Sequence, residues 1–205
     1  MVFSSLVFLC VFLVGVFLLY TVMPSLKVKN ALLIIASLGF YAYGEPVYVF
    51  LMLLSSVMNY LYALWIARTP ERKNRLAVVI AIVANLGLLV IFKYSGMLVE
   101  TMNALFGSSL PAPQIALPIG ISFFTFQALS YVIDVYRGVV KVQRNFFYVL
   151  LYISFFPQLI AGPIVKYRDI QDMIIDRRQD VSNIARGFRR FICGLAKKVL
   201  IADTM

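Results

Sequence analysis

Between residues 117 and 138 the chain reads LPIGISFFTFQALSYVIDVYRG, a stretch apolar enough for lipid that also holds Ser122, Thr125, Gln127, Ser130, Asp134 and Arg137. On a helix, the spacings put Gln127, Ser130, Asp134 and Arg137 within an arc of roughly 80°. An ionisable group at the depth of a membrane span costs about 2.5–3.5 kcal/mol on insertion scales, so such groups face a bundle interior or a water-filled cavity. The stripe is therefore the candidate lining of a passage, with Asp134 and Arg137 close enough to pair at its inner end. The plainer alternative is that this pair anchors the helix end while Gln127 and Ser130 bond to neighbouring helices. Gln158, in FFPQLIAGP, allows the same two readings. A helix broken at Pro157 frees backbone groups that either contact a substrate or are satisfied by the Gln158 amide. Asn59 and Asn85, each alone in an apolar run, read as interhelical hydrogen-bonders.

Other chemistry is excluded by what the chain lacks. It has no histidine, which removes the commonest general base at neutral pH and the commonest metal ligand. Its two cysteines, Cys10 and Cys193, have no paired spacing, so neither a metal site nor a disulfide is expected. No catalytic residue is assigned.

The elements that position the stripe follow from composition. The 205 residues are 62% hydrophobic and 14% charged, with a mean hydropathy of +0.90, against roughly 25% charged in soluble domains. Continuous apolar runs near the length of a membrane span predict an all-α, polytopic helical membrane protein rather than an outer-membrane barrel. The formal net charge is +10, but its Lys and Arg residues lie in short loops between apolar runs. They are orientation signals rather than a nucleic-acid surface.

Residues 2–23 form a retained first helix with its N-terminus outside, because Lys27 and Lys29 follow the run and none precedes it. Residues 31–43 follow, then GEP, where a left-handed cap at Gly44 and a helix start at Pro46 predict a tight hairpin. Residues 47–67 span, the basic loop 68–75 lies inside, and 76–92 return to an outer segment, 95–116, that lacks Lys and Arg and contains SSLPAP. After 117–136 comes the basic YRGVVKVQRN. A full crossing by 146–165 would put the basic stretch 166–198 outside. Breaks at Pro157, Gly162 and Pro163 instead predict a re-entrant segment. Gly120, Gly162 and the prolines set shape. In the tail, Ile184, Phe188, Ile192, Leu195 and Val199 oppose Arg186, Arg189, Arg190 and Lys197, a basic amphipathic helix at the inner interface. The alternative is a span with its charges at the boundary. Residues 1–205 are one membrane domain: spanning and re-entrant helices over 1–165, a basic cytoplasmic-side loop and amphipathic helix over 166–205.

The stretches LPIGISFFTFQALSYVIDVYRG, FFPQLIAGPIVKYRDI and GFRRFICGLAKKVLIADTM together resemble the membrane-bound O-acyltransferases, in particular the bacterial branch of alginate O-acetylation and teichoic acid D-alanylation proteins. SLGFYAYGEPVYVFLMLLSSVMNY resembles the start of the alginate type, and the likeness covers essentially the whole chain. The resemblance implies the N-terminal portion of a longer multi-helix enzyme of the plasma (cell inner) membrane, with a central tunnel. There an acyl group from an inner-side thioester, acyl-CoA or acyl carrier protein, meets an exported polysaccharide or an extracytoplasmic partner protein. No resident cofactor is implied. The family's tunnel histidine lies on a later helix, so this chain is expected to be inactive alone. What carries over is the tunnel wall: the polar face of 117–138, with Gln127, Ser130, Asp134 and Arg137, and the broken segment 157–163 with Gln158. A non-enzymatic scaffold or part of a transporter is the competing reading, and no inverted repeat supports the transporter.

Overall fold

The computed structural model describes residues 5–68, 74–107, 111, 116–159, 165–177 and 180–202. Gly162, Pro163, nearly all of SSLPAP and most of the 68–75 loop lie outside the described residues. Among those described, all regular structure is helical, and they group into two compact units, 33–171 and 1–32 with 172–205.

The larger unit is built on α3 (Tyr48–Ala67), α4 (Arg75–Leu89), α5 (Ser95–Phe106), α6 (Ile121–Tyr136), α7 (Phe146–Ser154), the short α8 (Phe156–Leu159) and most of α9 (Tyr167–Ile175). Both α3 and α4 pack on α6, and α3 also packs on α7. Among the described residues two helices are long and apolar enough to cross a membrane, α3 and the continuous rod Arg75–Phe106. In that rod α4 runs into α5 through a wider-wound stretch, Val90–Tyr94. At 1.5 Å per residue, α3 alone matches a hydrocarbon core of about 30 Å. The expected outer segment from Ser95 onward is therefore helical as far as Phe106. The rod closes at Gly107, whose φ of 63° is left-handed.

The hairpin after α2 (Leu26–Gly44) also differs from expectation. Gly44 remains helical with no left-handed cap, the Glu45 N–H donates to the Tyr41 carbonyl at 2.8 Å, and α3 begins at Tyr48, beyond Pro46. The helix starts earlier than its apolar run because Ser25 Oγ accepts the Val28 N–H at 3.4 Å and Lys27 and Lys29 extend their charges past the apolar surface.

Asn59 and Asn85 join α3 to α4 as expected of isolated amides. Each donates to the other's side-chain oxygen, at 3.0 and 2.9 Å, and each also donates to a carbonyl of its own helix. Replacing Asn59 alone by Leu leaves Asn85 Oδ1 without its donor and is expected to cost about 1 kcal/mol, whereas Asn59→Leu with Asn85→Leu is expected to be close to neutral. Unfolding midpoints of the three variants in detergent check this.

The smaller unit contains the first helix, Val7–Leu13 continuing into α1 (Val14–Val22), the start of α2, the end of α9 and α10 (Val181–Lys197). Its centre is Arg177. The guanidinium donates to Tyr20 OH at 2.8 Å, to Asn30 Oδ1 at 3.1 Å and to the Met173 carbonyl at 3.0 Å, while Asn30 donates to the Ile174 carbonyl at 2.9 Å. Lys29 also sits over the Tyr20 ring, 5.0 Å from its centroid. Arg177→Lys removes the fork that reaches two acceptors at once. The expected result is a loss of about 1–2 kcal/mol, read as faster amide exchange at the end of α9.

Candidate polar wall between α6 and the broken helix

The site begins with a helix that fails to continue. In a regular helix the Phe156 N–H would bond to the carbonyl of Tyr152. Here the chain leaves helical geometry at Phe155, with ψ 112°, and the Phe156 N–H donates instead to Ser37 Oγ at 3.2 Å. Pro157, with no N–H to offer, keeps the helix from resuming its register. The Tyr152 carbonyl is thereby released inside the protein, where an unpaired acceptor is costly. Two side-chain amides reach it, Gln127 from α6 and Gln158 from α8, the latter at 2.7 Å. Gln127 is 2% exposed and Gln158 8%.

Further along α6, Ser130 Oγ donates to the Gln127 carbonyl at 2.8 Å, and it lies 3.4 Å from Tyr152 OH, which donates to the Val165 carbonyl at 2.8 Å. The rings of Tyr131, Tyr152 and Tyr167 meet edge to face, with centroids 4.9–6.4 Å apart. Gln143 closes the cluster: its N–H donates to Tyr131 OH at 2.9 Å and its side-chain amide to Tyr167 OH at 3.1 Å. Gln143 precedes α7 and Tyr167 opens α9, so the two ends of this stretch are held together.

Asp134 is different. It is 8% exposed, and its Oδ2 has no hydrogen-bond partner; Thr125 Oγ1, on the same helix, is likewise buried and unpartnered. The expected ion pair with Arg137 does not form: the ion pair found among the described residues is Arg168–Asp169. The reason lies in how α6 ends. Arg137 is the exposed C-cap residue, Gly138 takes φ 72°, and the Gly138 and Val139 N–H groups close back on the Val135 and Asp134 carbonyls. Arg137 is still helical, its N–H bonded to the Ile133 carbonyl at 2.9 Å, but as the last residue before that left-handed turn it has no further helix beside it, and its side chain is exposed.

The start of α6 is held just as tightly. Gly120 has φ 79°, and a Cβ there would lie 2.8 Å from the Leu159 carbonyl oxygen. Tyr41 and Tyr48 hydroxyls donate to the carbonyls of Ile119 and Ala116 at 3.0 and 2.8 Å, fixing the approach to the helix.

Of the five residues expected to form a wall, Gln127, Ser130 and Gln158 thus meet around Tyr152, Asp134 lies on the same buried helix, and Arg137 stands apart. Sequence reasoning misses Tyr131, Tyr152, Tyr167, Gln143 and Ser37. The available signal is Pro157, since a helix breaker announces that carbonyls upstream of it need new donors. The described residues contain no group of His, Cys, Asp or Glu side chains able to hold a metal.

Residues 139–205 match the model of MBOAT, the membrane-bound O-acyltransferase family. Over its whole length the chain is 39% identical to the probable alginate O-acetylase AlgI of Pseudomonas aeruginosa and 38% identical to that of Azotobacter vinelandii, covering 40% and 42% of those proteins. It is also 34% identical, over 99% of its length, to a peptidoglycan O-acetyltransferase of Helicobacter pylori, of which it covers 45%. The chain thus spans about two fifths of the length of the curated relatives it matches. No solved structure matches it.

Proposed function

We propose that this chain, a relative of the membrane-bound O-acyltransferases, forms the N-terminal part of an enzyme that transfers an acyl group, acetyl in the first instance, to hydroxyls of an exported polysaccharide. The observation that carries this reading is the identity to alginate O-acetylases maintained along the whole chain. The polar face of α6 and the broken segment α7–α8 serve as one wall of the acyl-transfer tunnel. Gln127 and Gln158 hold the wall's shape by satisfying the Tyr152 carbonyl. Asp134 and Thr125 keep unspent hydrogen-bonding capacity for what passes beside them. The donor is an inner-side thioester, acyl-CoA or acyl carrier protein, and an extracytoplasmic partner completes transfer for acceptors that do not enter the tunnel. With no histidine in the chain, the group that takes the acceptor's proton comes from elsewhere in the enzyme, and the 205 residues alone are inactive.

The same reading gives a multi-pass topology with the N-terminus outside and 146–165 re-entrant. Two observations support it. Gln143 and Tyr167, at the two ends of that segment, are joined by a 3.1 Å hydrogen bond. Lys29 and Arg177 share the ring of Tyr20, as two segments on the same side of the bilayer would.

A chimera tests the proposal. In the P. aeruginosa relative, the corresponding segment is replaced by residues 1–205, and O-acetyl groups on the secreted alginate are measured. The expected result is acetylation within about tenfold of the parent, with Asp134→Ala lowering it by a further factor of about ten, the scale of one lost charge-assisted hydrogen bond. A chimera that reaches the membrane in normal amounts yet leaves alginate unacetylated rules the reading out.

A further inference from the structure

We propose that α10 is a binding surface for anionic phospholipid head groups of the leaflet at which the basic loops lie. The proposal is independent of the acyl-transfer reaction. From Val181 to Ala202 the chain carries five basic residues, Arg186, Arg189, Arg190, Lys197 and Lys198, and no acidic one. Taking Arg186 as the reference direction on a helix, Arg189, Arg190 and Lys197 fall within about 60° of it. Ile184, Phe188, Phe191, Ile192 and Leu195 fall within about 60° of the opposite pole. Lys198, at about 120°, lies beyond the end of α10; within α10 the two faces separate, as an interface between head groups and acyl chains selects.

Among the described residues little covers either face. Nearly every residue of α10 is exposed, including Phe188 at 46% and Ile192 at 60%. Arg186, Arg189, Arg190 and Lys197 have no ion-pair partner among the described residues. The apolar face continues an apolar neighbour: Phe188 meets Phe17 of α1 edge to face at 5.3 Å, beside the exposed Leu18 and Leu19. A cover that is oily along one side and anionic along the other is supplied by an acidic phospholipid, whose acyl chains meet Phe188 and Ile192 while its phosphate meets the arginines. The start of the helix is fixed for this role by Asp180, whose carboxylate accepts the Ser182 hydroxyl and N–H; these two bonds hold that carboxyl below its ordinary range.

Cys193, which is exposed and lies about 20° from Arg186 on the basic face, provides the probe. With Cys10→Ser, it is the single thiol and accepts a donor dye. The chain is reconstituted in phosphatidylcholine nanodiscs containing either acceptor-labelled phosphatidylglycerol or acceptor-labelled phosphatidylcholine at equal fraction. The expected result is about threefold or greater enrichment of the glycerol lipid near the dye at low salt, falling towards unity at high salt. The enrichment is lost in Arg189→Gln/Arg190→Gln and kept in Arg189→Lys/Arg190→Lys, which retains the charge and controls for folding. Equal transfer to both lipids at low salt, with native helix content by circular dichroism, overturns the proposal. So does a dye shielded from both lipids, because protein rather than lipid then covers the helix.

Discussion

Gly120→Ala is expected to destabilise the protein by about 2–5 kcal/mol, the largest such effect among the described glycines. Two costs coincide at this position. The backbone sits at φ 79°, where an L-residue pays roughly 1–2 kcal/mol. The new Cβ also meets the Leu159 carbonyl oxygen at 2.8 Å, and a backbone carbonyl cannot swing aside as a side chain tip can. Either α6 or the end of α8 must shift, which costs about 1–3 kcal/mol as overpacking does elsewhere. Gly138→Ala isolates the first cost, because Gly138 has φ 72° but nothing within 4 Å of the point its Cβ would occupy; about 1 kcal/mol is expected there. Unfolding midpoints of the two variants in the same detergent measure the difference. Equal losses would mean that the contact between α6 and the broken helix carries no energy. In the chimera, Gly120→Ala is further expected to depress acetylation more than Gly138→Ala, since it moves the wall as well as loosening it.

Much of this arrangement is legible in the sequence. The polar residues of α6 recur on one helical face, and a face that holds Gln127 and Asp134 inside an apolar run has to turn inward; the structure buries both. Asn59 and Asn85 find each other for the same reason. What periodicity does not encode is where a helix stops. Arg137 keeps the spacing of the stripe, yet a left-handed glycine one residue later ends the helix there and leaves Arg137 exposed instead of buried beside Asp134. The reach of α5 is hidden because the charge rule has nothing to read between Ser95 and Ala116, where there is no Lys or Arg. Nor does a sequence say which donor answers a broken helix. Ser37, Gln127 and Gln158 come from three different elements, and only their assembly shows that one takes a displaced N–H while the other two take the carbonyl it left.

That shared carbonyl supports the second large prediction, a non-additive pair. Gln127→Leu alone, or Gln158→Leu alone, leaves Tyr152 with one amide donor and is expected to cost about 1 kcal/mol. Together they leave a buried carbonyl with neither donor, and the double variant is expected to lose about 3–4 kcal/mol, a coupling of about 1–2 kcal/mol beyond the sum. The outcome also bears on what lies beside the wall. If water reaches the Tyr152 carbonyl, it replaces the missing amide, and the two losses simply add. Strong coupling therefore marks Gln127 and Gln158 as the dry backing of the wall, which act on transfer only by holding its shape. Additive, small losses would place them on its wet face. Reversible unfolding of the four proteins of the cycle in one mixed-micelle system distinguishes the two. Acetylation by the corresponding chimeras should follow the same order, because a wall whose central carbonyl seeks a new partner no longer holds Ser130 and Asp134 where α6 now presents them.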